Sequence, residues 1–227
     1  MVQFSFVLED SAIRIGPPLS RRLQCLAEQV PSGARLVDVG TDHGLLPLWL
    51  LAERRVATAM GVDRSAEALA GARRNQQRWG LPLELRVGVG LPTLQAATFD
   101  CMTMAGMGAD EMVATLRKAP PALRWVGLQP HRGADVLRAW LYAEAWTIQG
   151  ERLVEENGRF FPLLWAFRGH DPDPLSSADQ SFGRLSLHQD LFALRRYLGA
   201  EQTRCAVPRL EPRRRDAEDL LARLPPP

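Results

Sequence analysis

The feature that most constrains this chain is a regular alternation of short apolar runs with segments of helical periodicity. It begins at Ala34-Arg35-Leu36-Val37-Asp38-Val39-Gly40, an apolar run that stops at a glycine. Upstream, Leu23, Leu26, Ala27 and Val30 fall at helical spacing, and Pro31-Ser32-Gly33 ends that helix. Downstream, LPLWLLAERR reads as helix, TAMGVD as strand, SAEALAGARRNQQRWG as helix and LELRVG as strand. FDCMTM and LRWVGL read as two more strands, with helices expected over 110–118 and 134–145. Such alternation implies a parallel sheet covered by helices on both faces. After the fifth strand come two strand-like runs joined at Glu156-Asn157-Gly158, where Asn-Gly is a strong hairpin signal.

Two domains are expected: a sheet domain over 1–169 and a small helical hairpin over 177–227. In the second, Leu187, Leu191, Leu194 and Leu198 recur at helical intervals, and a last helix spans about 214–224. Between them GHDPDPLSSADQS, rich in Pro, Asp and Ser, reads as a linker. At 227 residues and 46% hydrophobic, the chain can bury a full core. The formal net charge of +2 gives no global case for nucleic acid, so any RNA-binding surface must be local. Lys118 is the only lysine, which leaves phosphate recognition to arginine forks. Cys25, Cys101 and Cys205 are widely spaced and odd in number, which fits neither a disulfide framework nor a metal site and suggests a reducing cytoplasm. The first residues lack the pattern of a signal peptide, and the most apolar stretch, 45–52, is too short for a bilayer.

The first strand leads into Gly40-Thr41-Asp42-His43-Gly44, a turn in which glycine lets the backbone pass close to a bound nucleoside. The next strand ends at Gly61-Val62-Asp63, where a carboxylate can accept hydrogen bonds from both ribose hydroxyls. The turn lacks the G-x-G-x-x-G that cradles a pyrophosphate. A nucleoside cofactor without phosphates is therefore expected, and S-adenosylmethionine (SAM) is the commonest of these. Asp38 falls where a carboxylate can orient the methionyl amino group.

With TDHGLLP, AGMG, LQP and EENGRFF in view, the chain resembles the bacterial tRNA (adenine(22)-N(1))-methyltransferases, the TrmK family, over about residues 19–167. The family's D-x-G-[ST]-D-H-x-x-L-P is matched by Asp38, Gly40, Thr41, Asp42, His43, Leu46 and Pro47. Ala105-Gly106-Met107-Gly108 and Leu128-Gln129-Pro130 match the segments after its fourth and fifth strands, and Glu155 to Phe160 matches its hairpin. The departures are Ala109 for the last glycine of A-G-M-G-G, His131 for the asparagine after L-Q-P, and Val89 beside Gly88 at the end of the third strand.

The resemblance implies a Rossmann-like class I methyltransferase fold: an α/β, seven-stranded, mostly parallel sheet with a terminal β-hairpin. It implies SAM as cofactor, tRNA as substrate, a cytoplasmic enzyme without metal, and a monomer or weak dimer. Expected cofactor contacts are Asp38, Gly40, Thr41, Gly44, Asp63, Gly88, Val89, Gly106, Met107 and Gly108; expected catalytic residues are Asp42, His43, Gln129 and His131. Adenine N1 has an in-plane lone pair and no proton to lose, so positioning and an acceptor near the exocyclic amine matter more than a strong base. Asp42 is the first candidate for that acceptor, and a helix N-cap is its structural alternative. Arg21, Arg22, Arg195, Arg196 and Arg213-Arg214-Arg215 are the candidate phosphate contacts, whereas Trp125, Trp140, Trp146 and Trp165 are expected in the core. Competing readings are a methyltransferase of a small molecule or protein, a noncatalytic SAM- or RNA-binding module, and a nicotinamide dehydrogenase.

Overall fold

A computed structural model describes residues 16–88, 99–205 and 210–226. The first residues, read as lacking a signal peptide, and Val89 lie outside the described residues. Seven strands form one sheet in the order β3-β2-β1-β4-β5-β7-β6. They are β1 (Ala34–Val39), β2 (Val56–Asp63), β3 (Leu83–Val87), β4 (Cys101–Gly108), β5 (Trp125–Arg132), β6 (Trp146–Glu156) and β7 (Arg159–Arg168). Pairings within β1 to β5 are parallel, and only β7 runs against its neighbours. The mostly parallel Rossmann-like sheet with its terminal hairpin is the architecture that the alternation implied.

The helices are α1 (Arg21–Ala27), α2 (Leu45–Ala52), α3 (Ala66–Trp79), α4 (Ala109–Leu116), α5 (Ala134–Ala143), α6 (Ser177–Phe182), α7 (Leu191–Arg204) and α8 (Glu211–Arg223). Local chemistry sets several of their limits. Ser65 caps α3 by accepting the Ala68 N–H at 3.1 Å, and Gly80 closes it in the left-handed conformation. Pro47 sits in the first turn of α2, where a missing N–H costs nothing.

Helices cover both sheet faces, so the central strands are buried almost end to end. One core packs Leu26, Leu48 and Leu50 of α1 and α2 against Leu36, Cys101, Trp125 and Trp165. The other packs Met112, Leu116, Leu137 and Leu141 of α4 and α5 against Val37, Met102, Val126 and Trp146. Trp125, Trp146 and Trp165 are core residues, and Trp140 packs at its edge. All three cysteines are buried free thiols.

A third cluster, built on Phe182, Leu194, Leu198 and Leu220, seats the C-terminal helices on Leu153 of β6. The expected linker is a structural joint instead. Ser176 opens α6 with a reciprocal capping box to Asp179, and Arg184 holds the buried Asp171 at 2.5 Å. Beneath it Arg138 of α5 donates to Glu151 of β6 at 2.7 and 2.9 Å, both side chains being at most 3% exposed. The remaining Arg138 nitrogen donates to the carbonyls of Gln180 and Ser181, at 3.2 and 3.1 Å. One guanidinium thus ties the sheet to the C-terminal helices.

Candidate cofactor cleft and its mouth

The chain moves outward from β1 to β2 and β3, then returns to add β4 and β5 on the other side. Between β1 and β4 the winding reverses. The turns after these strands therefore diverge and leave a crevice at the carboxyl edge of the sheet. A cleft of about 640 Å³ occupies this place, within the ordinary size range for a small-molecule site.

Asp38, Gly40, Thr41, Asp42, His43, Asp63, Gly88, Gly106, Met107 and His131 all line it. Gly44 and Gly108 do not; they are the N-caps of α2 and α4 and shape the turns from behind. Gln129 also stands apart. It is fully buried, its amide nitrogen donates to the Pro130 carbonyl at 3.0 Å, and its side-chain oxygen has no partner. As placed, it is buried within β5 and does not line the cleft.

Asp63 ends β2 with both carboxylate oxygens oriented by the backbone. One accepts the Asp42 N–H at 3.0 Å and the other the Ser65 N–H at 2.9 Å. Each oxygen keeps a second lone pair for a ligand hydroxyl. Asp38 lies deeper, 5% exposed, and accepts the Thr103 hydroxyl at 2.7 Å. Burial raises its pKa from 3.8 to about 6, a rise that the Thr103 hydrogen bond and the neighbouring Thr41 hydroxyl oppose and the nearby Asp63 reinforces. A buried carboxylate with this pKa is poised to take a cationic partner.

Two glycines keep the crevice open. Gly40 has φ +72°, and a Cβ there would come 3.1 Å from the Met107 sulfur, so the β1 turn and the β4 turn face each other closely. Gly106 has φ +79°, and β4 slips register on both sides of Met107. The AGMG segment, read as a turn after the strand, is therefore the strand's own irregular end.

At the mouth, Asp42 has φ +49° and a side chain 67% exposed. Gly44 takes the N-cap of α2 and no side chain caps that helix, so capping does not explain Asp42. The His43 ring lies against Gly71 of α3, where a Cβ would come within 2.3 Å of Nδ1, and its Nε2 is 3.8 Å from Asp42. Opposite stands His131, its pKa lowered by burial and by the charges of Arg22 and Arg159. It is the neutral imidazole that faces the cleft near neutral pH.

The expected arginine contacts divide. Arg22 lines the cleft, but the C-terminal arginines are already engaged. Arg196 forks onto Glu155, Arg213 onto Glu201 and Tyr197, and Arg214 and Arg215 pair along α8 with Glu211 and Glu218. Arg195 donates to the Pro225 carbonyl. Missed by the sequence reading were Arg64, Glu111 and Lys118 along the cleft, and Phe161 at its mouth. Phe161 belongs to the hairpin motif that was read for its turn alone.

Four carboxylates, Asp38, Asp42, Asp63 and Glu111, line this cleft. Arg22, Arg64 and Lys118 line it too, so the charges come close to balance; what distinguishes the floor is the buried Asp38 and the oriented Asp63, partners for a ligand ammonium and for ribose hydroxyls, which fits SAM. Among the described residues there is no cluster of side chains suited to a metal ion, and no helix long and apolar enough to cross a membrane.

Comparison with known proteins agrees with this geometry. The tRNA (adenine(22)-N(1))-methyltransferase of Bacillus subtilis is 31% identical over 156 residues, which span 66% of this chain and 66% of that enzyme, just under two thirds. A Streptococcus pneumoniae protein provisionally assigned as a tRNA (m1A22) methyltransferase superposes with a TM-score of 0.82 at 25% identity, covering 90% of this chain and 100% of its own. The same Streptococcus pneumoniae protein in complex with S-adenosyl-L-methionine superposes with a TM-score of 0.81 at 24% identity, with coverage of 90% and 100%. The resemblance read from the motifs is thus borne out in sequence and in fold. A family model described as a methyltransferase domain matches residues 19–164, well over half of the sequence, and with the cleft in the place and of the character such a domain requires, the chain belongs to the methyltransferase-domain family.

Proposed function

We propose that this protein transfers the methyl group of SAM to N1 of an adenine in tRNA, at position 22 by likeness to its Bacillus subtilis relative. The observation that carries the reading is a cleft at the switch point of the sheet with Asp38 buried on its floor and Asp63 oriented at the end of β2, in a chain with this relative. When bound, the cofactor supplies an electrophilic methyl on a sulfonium. Asp63 holds the ribose hydroxyls, and Asp38 pairs with the methionyl ammonium. Gly40 and Gly106 allow the backbone to close on the ligand.

The target base needs no general base, because its N1 lone pair lies in the ring plane. Asp42 stands at the mouth as acceptor for the exocyclic amine and stabilises the cationic ring that forms. Unstacking an adenine from tRNA costs a few kcal/mol, which contacts to the backbone must offset. The setting is cytoplasmic, where tRNA and SAM meet.

The test is incubation with labelled SAM and bulk tRNA, followed by nuclease digestion and mass spectrometry of the nucleosides. N1-methyladenosine mapping to one position is the expected product. Normal cofactor binding with no transfer to any tRNA would favour a binding module, and label on a small molecule or a protein would redirect the substrate.

A further inference from the structure

Because β7 runs antiparallel to β5, its first residues emerge at the edge where the parallel strands end, beside the cleft. Phe161 is thereby brought to 6.4 Å from His131, centroid to centroid. Two guanidinium groups share its ring: Arg22 at 5.0 Å and Arg159 at 5.7 Å from the centroid. Like charges crowd one ring here. Arg22 has a weak counter-charge, Glu156 at 3.7 Å, and its Nε is buried without a hydrogen-bond partner. Arg159, and Arg132 at the end of β5, are exposed and have no ion-pair partner among the described residues.

The C-terminal helices present the opposite picture, since Arg196, Arg204, Arg213, Arg214, Arg215 and Arg223 each have a carboxylate within 4.0 Å. Binding a phosphate there would mean breaking an existing pair. At the cleft mouth it would satisfy charges that have no partner.

Resting on the tRNA reading above, we propose that Arg22 and Arg159, which share the Phe161 ring beside His131, together with Arg132 at the end of β5, are the phosphate grip for the RNA backbone flanking the target adenine, and that the arginines of α8 contribute none. Phe161 holds two of the forks through cation–π contact, so they are arranged before RNA arrives and less side-chain entropy is lost on binding.

The experiment compares the parent protein with Arg132→Gln/Arg159→Gln and with Arg214→Gln/Arg215→Gln. Affinity for tRNA is measured across a salt series, and S-adenosylhomocysteine affinity serves as the check that each variant is folded. The mouth variant is expected to bind tRNA more weakly and to lose about 1 from the salt slope for each arginine removed, with cofactor affinity unchanged. The α8 variant is expected to match the parent. Unchanged tRNA affinity and slope in the mouth variant overturns the proposal, as does an equal loss in the α8 variant. If the parent methylates tRNA and the mouth variant is unaffected, only this inference fails; a parent that binds no tRNA overturns the functional reading with it.

Discussion

Asp38 provides the sharpest handle on the cofactor site, because pH alone can remove its charge. Its pKa stands at about 6 through burial, against 3.8 unperturbed. Pairing with the methionyl ammonium favours the ionised form, so binding lowers that pKa and releases a proton wherever the free protein is protonated. Affinity for S-adenosylhomocysteine should therefore be flat above about pH 7 and fall below the Asp38 pKa, reaching roughly tenfold weaker at about pH 5, where about a tenth of the groups remain ionised. Calorimetry in two buffers of different ionisation enthalpy reads both the affinity and the proton released. Asp38→Asn should bind weakly at every pH and show no such dependence. A profile for the parent that stays level through this range would refute the reasoning.

The same shift has a stability consequence of definite sign. The folded pKa lies above the unfolded one, so the unliganded fold gains most below about pH 4 and loses roughly 3 kcal/mol as pH rises through 6. The cofactor ammonium offsets that loss.

Further outcomes can be checked one by one. Asp63→Ala removes a charged acceptor oriented by two backbone N–H groups; S-adenosylhomocysteine affinity by calorimetry should drop by about 1.5–3 kcal/mol, and an unchanged value would remove the ribose assignment. Glu151→Leu strands the buried Arg138 and should cost about 3–5 kcal/mol in urea unfolding, whereas Arg138→Met/Glu151→Leu recovers much of it. A single variant that loses under about 1 kcal/mol would show that water reaches the pair. Asp42→Ala should lower kcat by about 10²-fold or more with cofactor affinity within a few-fold of the parent, and full turnover would end its role as acceptor.

Much of the fold was legible because local signals and global packing agree. The apolar runs at β1, β2, β4 and β5 are buried on both faces, so they show as continuous strands, and Asn157-Gly158 marks the hairpin directly. The cofactor face was legible for a related reason: Asp38, Gly40 and Asp63 are adjacent to the strand ends that place them. Long-range relations were not. The Arg138–Glu151 contact joins residues on different elements to carbonyls of α6, and no local pattern announces it. The segment 169–181 was read as a linker from its composition, although its Ser176-x-x-Asp179 is a capping box. Gln129 sits in a motif at the right edge of the sheet, yet it lies deeper along β5 and is fully buried, whereas His131, two residues further on the same face, reaches the cleft. The ion pairs of the α8 run were not legible as a group either: Arg214 and Arg215 pair one helical turn away on the same helix, whereas Arg213 reaches Glu201 of α7.

All of these readings depend on a cleft that takes a phosphate-free, positively charged nucleoside at the end of β1 and β2. Calorimetric titration of the protein with SAM, S-adenosylhomocysteine and NAD in parallel tests this most directly. One saturable site for the first two and no heat of binding for NAD is the expected result. Binding of NAD, or silence with both sulfur nucleosides, would contradict it.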